Sequence, residues 1–194
     1  MRLVDAPTDL ASLANLAKAG DVTARGALFA ELYRSVRKHV HLIVGTALAD
    51  DIVQEVMIAL HRGLGRFRGD ANPRTWALAI ATRIAHRMRR KESRYIPIED
   101  SALDRAAYDP ATTDAAEIAV LQRALATLHP KKRDAFVLMA IFELSADEAG
   151  EALGTFANTA ASRYRHARAE LQAYFSKHND EAAAPARTTE AGHG

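Results

Sequence analysis

Apolar residues recur at helical spacing along most of this chain, and this constrains its fold more than any other feature of the sequence. Leu28, Leu32 and Val36 follow one another at intervals of four, with Phe29 and Tyr33 beside them. That spacing places apolar side chains along one face of an α-helix. Alanine, which has the highest helix propensity, is abundant, and only 6% of the residues are aromatic. The sequence therefore predicts an all-α protein.

Capping and helix-breaking residues divide the chain into segments. Asp50 is predicted to cap a third helix, and Asn72 with Pro73 to begin a fourth. Pro97 and Pro110, set among Asp, Ser and Thr, predict an extended connection that forms no packed helix. We therefore expect two small helical domains at residues 1–94 and 117–177, joined by an acidic linker at 95–116 and followed by a disordered tail at 178–194.

The second of these domains has the pattern of a helix-turn-helix. Ser145 and Glu148 are spaced as a capping box at the start of a short helix, and Gly154 is suited to end it. A longer helix is predicted from about Phe156 to about Phe175. A short helix, a turn that contains glycine and a longer basic helix are typical of DNA-binding proteins.

Charge is distributed unevenly, although the formal net charge is only +2. Residues 83–94 contain six Arg or Lys and the single acid Glu92. Residues 99–117 contain six acids and the single base Arg105. This favours a surface for nucleic acid followed by a linker that avoids it, and a solvated helix end remains the alternative.

The fourth helix is predicted to have two different faces. Ile80 and Ile84 lie on an apolar arc together with several alanines, and Arg83 and Arg87 lie opposite. Trp76, the only tryptophan, falls at the border between the two arcs. Its indole could stack on an exposed base, or it could close the edge of the domain as an amphipathic core residue. Periodicity leaves both interpretations open.

The last helix also separates into two faces. Its predicted buried side consists of Phe156, Ala160, Tyr164, Ala167, Leu171 and Tyr174. The opposite side carries Asn158, Thr159, Ser162, Arg165 and His166, with Arg163 and Arg168 on the flanks. These residue types hydrogen-bond base edges and phosphates, and the first acid of the helix is Glu170. The pattern favours a DNA-recognition helix over an ordinary solvated face.

Several functional classes are excluded or disfavoured by the composition. The chain has no cysteine, which excludes disulfides, thiolate zinc sites and a cysteine nucleophile within it. No apolar run reaches the roughly 18 to 20 residues that a membrane span needs. Asp51 and Glu55 share a helix face but lack the paired Glu-x-x-His of a di-metal bundle. We expect a cytoplasmic protein that is monomeric when free, is not an enzyme and uses no cofactor or metal.

Two segments of the first domain resemble the extracytoplasmic-function sigma factors of the sigma-70 family. The stretch ADDIVQEVMIALHRGLGRF is similar to the region that binds the clamp coiled coil of RNA polymerase, and Asp51, Gln54 and Glu55 match its pattern. The stretch RGDANPRTWALAIATRIAHRMRR is similar to the promoter-melting and minus-ten region, in which Trp76 matches. Arg83 stands where many relatives have Asn.

The second domain resembles the family's minus-35 region through LATLHPKKRDAFVLMAIFELSADEAGEALG and NTAASRYRHARAEL. It also departs from the family pattern. Ala149 and Gly150 replace a usual Ile-Ala, Ala161 replaces a frequent Lys or Arg, and His166 replaces a frequent Arg. These differences imply looser packing of the domain and an unusual minus-35 preference.

The resemblance implies an alternative sigma factor with three sets of site residues. Core polymerase would be bound by Asp51, Gln54, Glu55 and Ile58. Minus-ten DNA would be contacted by Arg68, Asp70, Asn72, Arg74, Trp76, Arg83, Arg87 and Arg90. Minus-35 DNA would be contacted by Asn158, Thr159, Ser162, Arg163, Arg165, His166 and Arg168.

The implied partners are promoter DNA, the clamp and flap of core polymerase, and an anti-sigma factor. The acidic linker would occupy a basic channel of the polymerase. The alternative interpretation is a stand-alone helix-turn-helix regulator whose first domain senses a ligand or dimerises. The pattern at Asp51, Gln54 and Glu55 argues against that alternative.

Overall fold

The computed structural model describes residues 9–45, 48–92 and 115–183, and within them every regular element is helical. The first domain contains α1 (Leu10–Lys18), α2 (Val22–Val44), α3 (Ala49–Gly63), a 3₁₀ turn (Leu64–Arg66) and α4 (Pro73–Glu92). The second contains α5 (Ala115–Ala126), α6 (Pro130–Phe136), a π-helical turn (Val137–Ile141), α7 (Ala146–Leu153) and α8 (Ala157–Ala183). The all-α prediction is confirmed.

The core of the first domain forms around α2. Leu28, Leu32 and Val36 are fully buried against the neighbouring helices, as their spacing predicts. Tyr33, in contrast, is 45% exposed. The prediction for the start of α3 is wrong, because the N-cap position is Leu48, without a side-chain cap, and Asp50 lies inside the first turn.

The start of α4 is built as the sequence predicts. The side-chain oxygen of Asn72 accepts a hydrogen bond of 2.8 Å from the amide of Arg74, and Pro73 is the first helical residue. Pro73 suits this position because its missing amide proton is not needed in the first turn. This cap fixes where the helix that carries Trp76 begins.

The helix-turn-helix of the second domain is formed by α7 and α8. Ser145 and Glu148 make the predicted capping box, and Gly154 ends α7 in the left-handed conformation at φ 62°. A Cβ on Gly150 would lie 3.0 Å from the amide nitrogen of Ala157 and from the carbonyl oxygen of Thr155. The missing side chain therefore allows α7 to pack closely against the turn that leads into α8.

The two faces of α8 agree with the sequence prediction except at its first position. Ala160, Ala167 and Leu171 are buried, whereas Phe156 is 83% exposed. The helical wheel does not apply to Phe156, because this residue precedes the helix and serves as its N-cap. The helix continues to Ala183, six residues into the segment 178–194 that we expected to form a tail.

The two domains pack against each other through a face of α4 that the sequence pattern did not single out. Leu78 is fully buried and forms one apolar cluster with Leu138, Leu144 and Ala149 of the second domain. A second, larger cluster joins the core of the first domain to Leu125 and other residues of the second. Helix α4 is thus covered on two sides and leaves its basic side exposed.

The acidic linker expected at 95–116 lies outside the described residues except for its last two positions, where α5 already begins at Ala115. Of the tail expected at 178–194, residues 184–194 lie outside the described residues. In the part of the chain that the structure describes, no helix has the length and apolar character needed to cross a membrane.

Candidate polymerase and nucleic-acid interfaces

The predicted polymerase-binding residues share the outer face of α3. Asp51 and Gln54 are exposed, Ile58 is 51% exposed, and Glu55 is partly exposed. They recur at spacings of three and four, which places them on one side of the helix. The inner side of α3 is buried in the domain core. This face is therefore available to another protein.

An apolar groove of about 700 Å³ adjoins this face between α2 and α3. Phe29, Met57 and Ile58 contribute to its lining, as does Val22, which is 69% exposed. The ring of Phe29 stacks on that of His61, with ring centroids 4.9 Å apart. The groove offers apolar contact area beside the polar residues of the α3 face.

The loop before α4 presents the first of the predicted minus-ten residues. Arg68 and Asp70 form an ion pair of 3.0 Å, and their side chains are 85% and 74% exposed. Arg74 is exposed in the first turn of α4, while Asn72 is engaged as the cap. The structure thus gives Asn72 a structural role and leaves the neighbouring charges on the surface.

Trp76 is partly buried and packs on the core of the first domain. Its ring lies 4.9 Å from that of Phe67, at an angle of 37°. A Cβ on Gly63 would approach the indole to 3.1 Å, so this glycine makes room for the ring. Trp76 therefore packs at the edge of the domain as an amphipathic core residue. Because it is only partly buried, it also leaves surface that another molecule can contact.

A basic surface runs along the second half of α4. It borders a cleft of about 520 Å³ lined by Arg83, His86, Arg87, Arg90 and Lys91. The side chain of Arg83 hydrogen-bonds the carbonyl oxygen of Ala79, at 3.2 Å. Such a concentration of positive charge suits the phosphates of a nucleic acid backbone.

One contact joins the predicted polymerase-binding face to this basic surface. The guanidinium of Arg87 forms an ion pair with the carboxylate of Glu55, and both side chains are substantially exposed. The two residues belong to different predicted sites, on α4 and on α3. Sequence reasoning placed both on the surface but could not show that they meet.

The predicted minus-35 residues lie on the outward side of α8. Asn158, Arg165, His166 and Arg168 are exposed, and Thr159, Ser162 and Arg163 are partly exposed. The helix is held from behind by stacking of Tyr164 on Phe136, with ring centroids 5.9 Å apart. The structure therefore brings these residues together on one surface.

Three polar contacts between the domains were missed by sequence reasoning. Nε2 of His86 lies 2.7 Å from Oδ2 of Asp134, whose side chain is only 1% exposed. The hydroxyl of Thr75 donates to Oε1 of Glu148 at 3.3 Å. Arg133 is buried, and its Nη1 donates to the carbonyl oxygen of Ile43 at 3.1 Å. Nothing in the local sequence pattern pairs residues that are so far apart along the chain.

The capping box of α7 also takes part in this interface. Hydrogen bonds from the backbone and side chain of Ser145, followed by the one from Thr75, hold the pKa of Glu148 below its ordinary value. Glu148 therefore stays ionised while it caps its own helix and receives the hydroxyl of the other domain.

His39 is the most deeply buried titratable group near the contact between the domains. Its Nε2 lies 2.8 Å from the hydroxyl oxygen of Thr82, and its ring meets Phe142 of the second domain edge-on at 5.6 Å. Burial lowers the pKa of His39 to about 4, although the nearby Asp134 acts in the opposite direction. His39 is consequently neutral near pH 7.

No group of three or more His, Cys, Asp or Glu residues among the described ranges is arranged to hold a metal ion. The sites that the structure does assemble are surfaces for macromolecules: the α3 face, the basic side of α4 and the outward side of α8.

Two family models match the chain. The model of sigma-70 region 2 matches residues 28–95, and the model of sigma-70 region 4 matches residues 118–171. These ranges contain every predicted site residue.

Curated proteins give a consistent result. The ECF RNA polymerase sigma factor SigM of Mycobacterium tuberculosis is 33% identical over 158 residues, covering 79% of this chain and 78% of the relative. The RNA polymerase sigma factor NccH of Alcaligenes xylosoxydans is 31% identical over 171 residues, covering 84% of this chain and 92% of the relative.

Solved structures share the fold at lower sequence identity. CnrH, in complex with the cytosolic domain of CnrY, has a TM-score of 0.65 and 24% identity, covering 86% of this chain and 97% of CnrH. The sigma factor RpoE, in complex with the anti-sigma factor NepR from Bartonella quintana, has a TM-score of 0.71 and 20% identity, covering 80% of this chain and 98% of RpoE.

Proposed function

The chain belongs to the extracytoplasmic-function sigma factors of the sigma-70 family, and we propose how its three surfaces divide the work of promoter recognition. It is an alternative RNA polymerase sigma factor, and the family matches give no support to the stand-alone regulator that the sequence left as an alternative. In this proposal α3 binds core polymerase, α4 opens the minus-ten element and α8 reads the minus-35 element.

The proposal rests on the observation that α3, α4 and α8 each carry one exposed surface, and that the three surfaces differ in their chemistry. The α3 face combines the acid Asp51 and the amide Gln54 with the exposed apolar side chain of Ile58. Mixed polar and apolar surfaces of this kind are typical of protein interfaces. This face, with the adjoining groove, is therefore assigned to the clamp coiled coil.

Both DNA-directed surfaces are basic, but they differ in their other residues. The α4 surface combines Arg83, Arg87 and Arg90 with the partly buried Trp76, which suits unstacked bases of a single strand. The α8 surface combines Arg165 with short polar side chains near a helix N-terminus, which suits the major groove of a duplex. We assign α4 to the melted minus-ten strand and α8 to the minus-35 duplex.

Sigma factors are initiation factors without a reaction of their own, so catalysis in this proposal belongs to the polymerase. The place of action is the cytoplasm, where polymerase and chromosome are found. We also propose an anti-sigma factor as a partner, supported by the solved structure of RpoE with NepR.

Gel filtration with purified core polymerase tests the assignment of the α3 face. The wild-type chain is expected to co-elute with the core and to support transcription from genomic fragments. Asp51→Lys should abolish co-elution, because it reverses a charge at the N-terminal end of the face. Asp147→Lys, which changes an exposed acid on α7, serves as the matched control and should co-elute normally. Equal co-elution of both variants would count against the assignment.

A further inference from the structure

Phe156 occupies a position where an aromatic residue brings no benefit to the fold. It is the N-cap of α8, and its carbonyl oxygen accepts hydrogen bonds from the amides of Thr159 and Ala160, at 2.9 and 3.1 Å. A Ser, Thr, Asp or Asn side chain at this position would in addition accept an amide hydrogen bond. A phenyl ring cannot do this.

The ring of Phe156 is also left outside the core. At 83%, it is the most exposed of the large apolar side chains among the described residues. Tyr164, two turns along the same helix, instead stacks on Phe136. An apolar side chain that stays in water in the folded chain gains no burial energy from folding. Its contact partner therefore lies outside the described residues.

The surroundings of Phe156 indicate what that partner is. Thr159 lies three residues, or about 4.5 Å, further along the axis, and Asn158 and Arg165 are exposed on the same helix. Residues 157–169 carry three arginines and no acid. Phe156 thus stands at the leading end of the surface assigned to the minus-35 duplex.

Duplex DNA offers an apolar group at this place. A recognition helix enters the major groove by its N-terminal residues, and the C5-methyl of thymine is the apolar group that base pairs display in that groove. Resting on the proposed function above, we propose that Phe156 is a specificity-determining residue whose ring packs on the methyl group of a thymine in the minus-35 element.

Replacement of thymine by deoxyuridine tests this contact, because the substitution removes only the methyl group. Holoenzymes carrying wild-type chain or Phe156→Ser are compared on a promoter obtained from genomic fragments, with each minus-35 thymine replaced in turn. At one position deoxyuridine should weaken binding by the wild-type holoenzyme about fourfold, the effect of losing one buried methyl. The same replacement should leave Phe156→Ser unchanged.

Two controls separate this effect from misfolding. Ser at position 156 supplies the missing cap, so Phe156→Ser should unfold at the same temperature as the wild type or a higher one. Leu16→Ser removes a half-exposed apolar side chain from α1 and should keep the full response to deoxyuridine.

The other outcomes overturn the proposal in recognisable ways. If no thymine responds more strongly in the wild type than in Phe156→Ser, the ring makes no methyl contact. If Phe156→Ser weakens binding equally with thymine and deoxyuridine at every position, the ring serves another partner, such as the polymerase. If the wild-type holoenzyme binds and transcribes no promoter, the proposed function fails, and this inference fails with it.

Discussion

His39 links the pH dependence of stability to the contact between the domains. Its pKa is lowered to about 4 by burial, and the groups that face it are Thr82, Phe142, Asp134 and His86. In the unfolded chain the ring titrates near pH 6.5, so between pH 6.5 and 4 the unfolded state binds a proton that the folded state does not. The free energy of unfolding should therefore fall by about 3 kcal/mol across this window from this group alone.

Urea unfolding at pH 7 and pH 4 measures that contribution. His39→Gln keeps an amide that can bond Thr82 but cannot titrate, so its loss of stability between the two pH values should be smaller than that of the wild type by about 3 kcal/mol. His166→Gln, at an exposed position on α8, serves as the control for replacing a histidine. If the wild type and His39→Gln lost equal stability between pH 7 and pH 4, His39 would not be the cause of the loss of stability in acid.

Trp76 is a second residue whose role the structure redefines. Because the indole packs on Phe67 and over Gly63, Trp76→Ala should lower the free energy of unfolding by about 2 kcal/mol, as well as impair opening of the minus-ten element. Met88→Ala, at a partly buried position of the same helix, should cost about as much stability without affecting opening. Permanganate reactivity of the melted thymines measures opening. Equal reactivity in both variants would assign Trp76 to packing alone.

Among the helices, α7 and α2 each contain a glycine, and the two differ in their surroundings. Gly26 of α2 has no atom near its missing Cβ, so Gly26→Ala should raise the free energy of unfolding by about 0.5–1 kcal/mol through helix propensity. Gly150→Ala gains the same propensity but presses on backbone atoms of Thr155 and Ala157. We expect a net loss of about 1 kcal/mol, since backbone in a tight turn cannot yield easily. A higher unfolding temperature for Gly150→Ala than for the wild type would contradict this account.

The helices themselves could be predicted where their boundaries depend on local chemistry. Asn72, Ser145 and Gly154 act within four residues of their own position, so the sequence showed their caps directly. The burial of Leu78 could not be predicted in the same way. Helical periodicity reveals that a helix has several faces, but it does not reveal which distant segment covers each of them.

The candidate sites likewise combine features that the sequence could predict with features that depend on the tertiary structure. Exposed faces on α3 and α8 follow from periodicity, because they are the sides left over when the apolar side is buried. The pairs Arg87–Glu55 and His86–Asp134 depend on the tertiary arrangement and leave no trace in the sequence. Phe156 was misassigned because the wheel was extended one residue beyond the start of the helix.

At the scale of the whole molecule, the arrangement of the two domains conflicts with simultaneous recognition of both promoter elements. The minus-35 and minus-ten elements are named for positions that differ by about 25 base pairs, which is about 85 Å at 3.4 Å per base pair. In this structure Thr75, the neighbour of Trp76, bonds Glu148 on the helix that precedes the recognition helix. Under the proposed assignment, the domains must therefore separate before α4 and α8 can engage one promoter.

The composition of the interface is compatible with such a separation. The interface is apolar around Leu78 and in the larger cluster that includes Leu125, and it also contains Thr75, Glu148, His86 and Asp134, which water can solvate when the domains part. Polar contacts are more frequent in interfaces between domains that move relative to each other than in permanent ones. Leu78 contributes the largest apolar side chain from the α4 side and has no part in the exposed basic surface.

Leu78→Ser is accordingly expected to shift the molecule towards an open state without damaging either promoter-binding surface. Removing a buried leucine costs about 3 kcal/mol, which changes the ratio of closed to open molecules by about 100-fold. Small-angle scattering should show a larger radius of gyration for Leu78→Ser than for wild type, with circular dichroism unchanged. Leu16→Ser, at a half-exposed position on α1, should scatter as the wild type does.

With core polymerase in excess, Leu78→Ser should form holoenzyme faster and reach the same final transcription level, because the open state is the one that both elements require. A compact Leu78→Ser chain with normal transcription would mean that the domain contact is held elsewhere, through the apolar cluster that includes Leu125 and the hydrogen bond from Arg133 to Ile43.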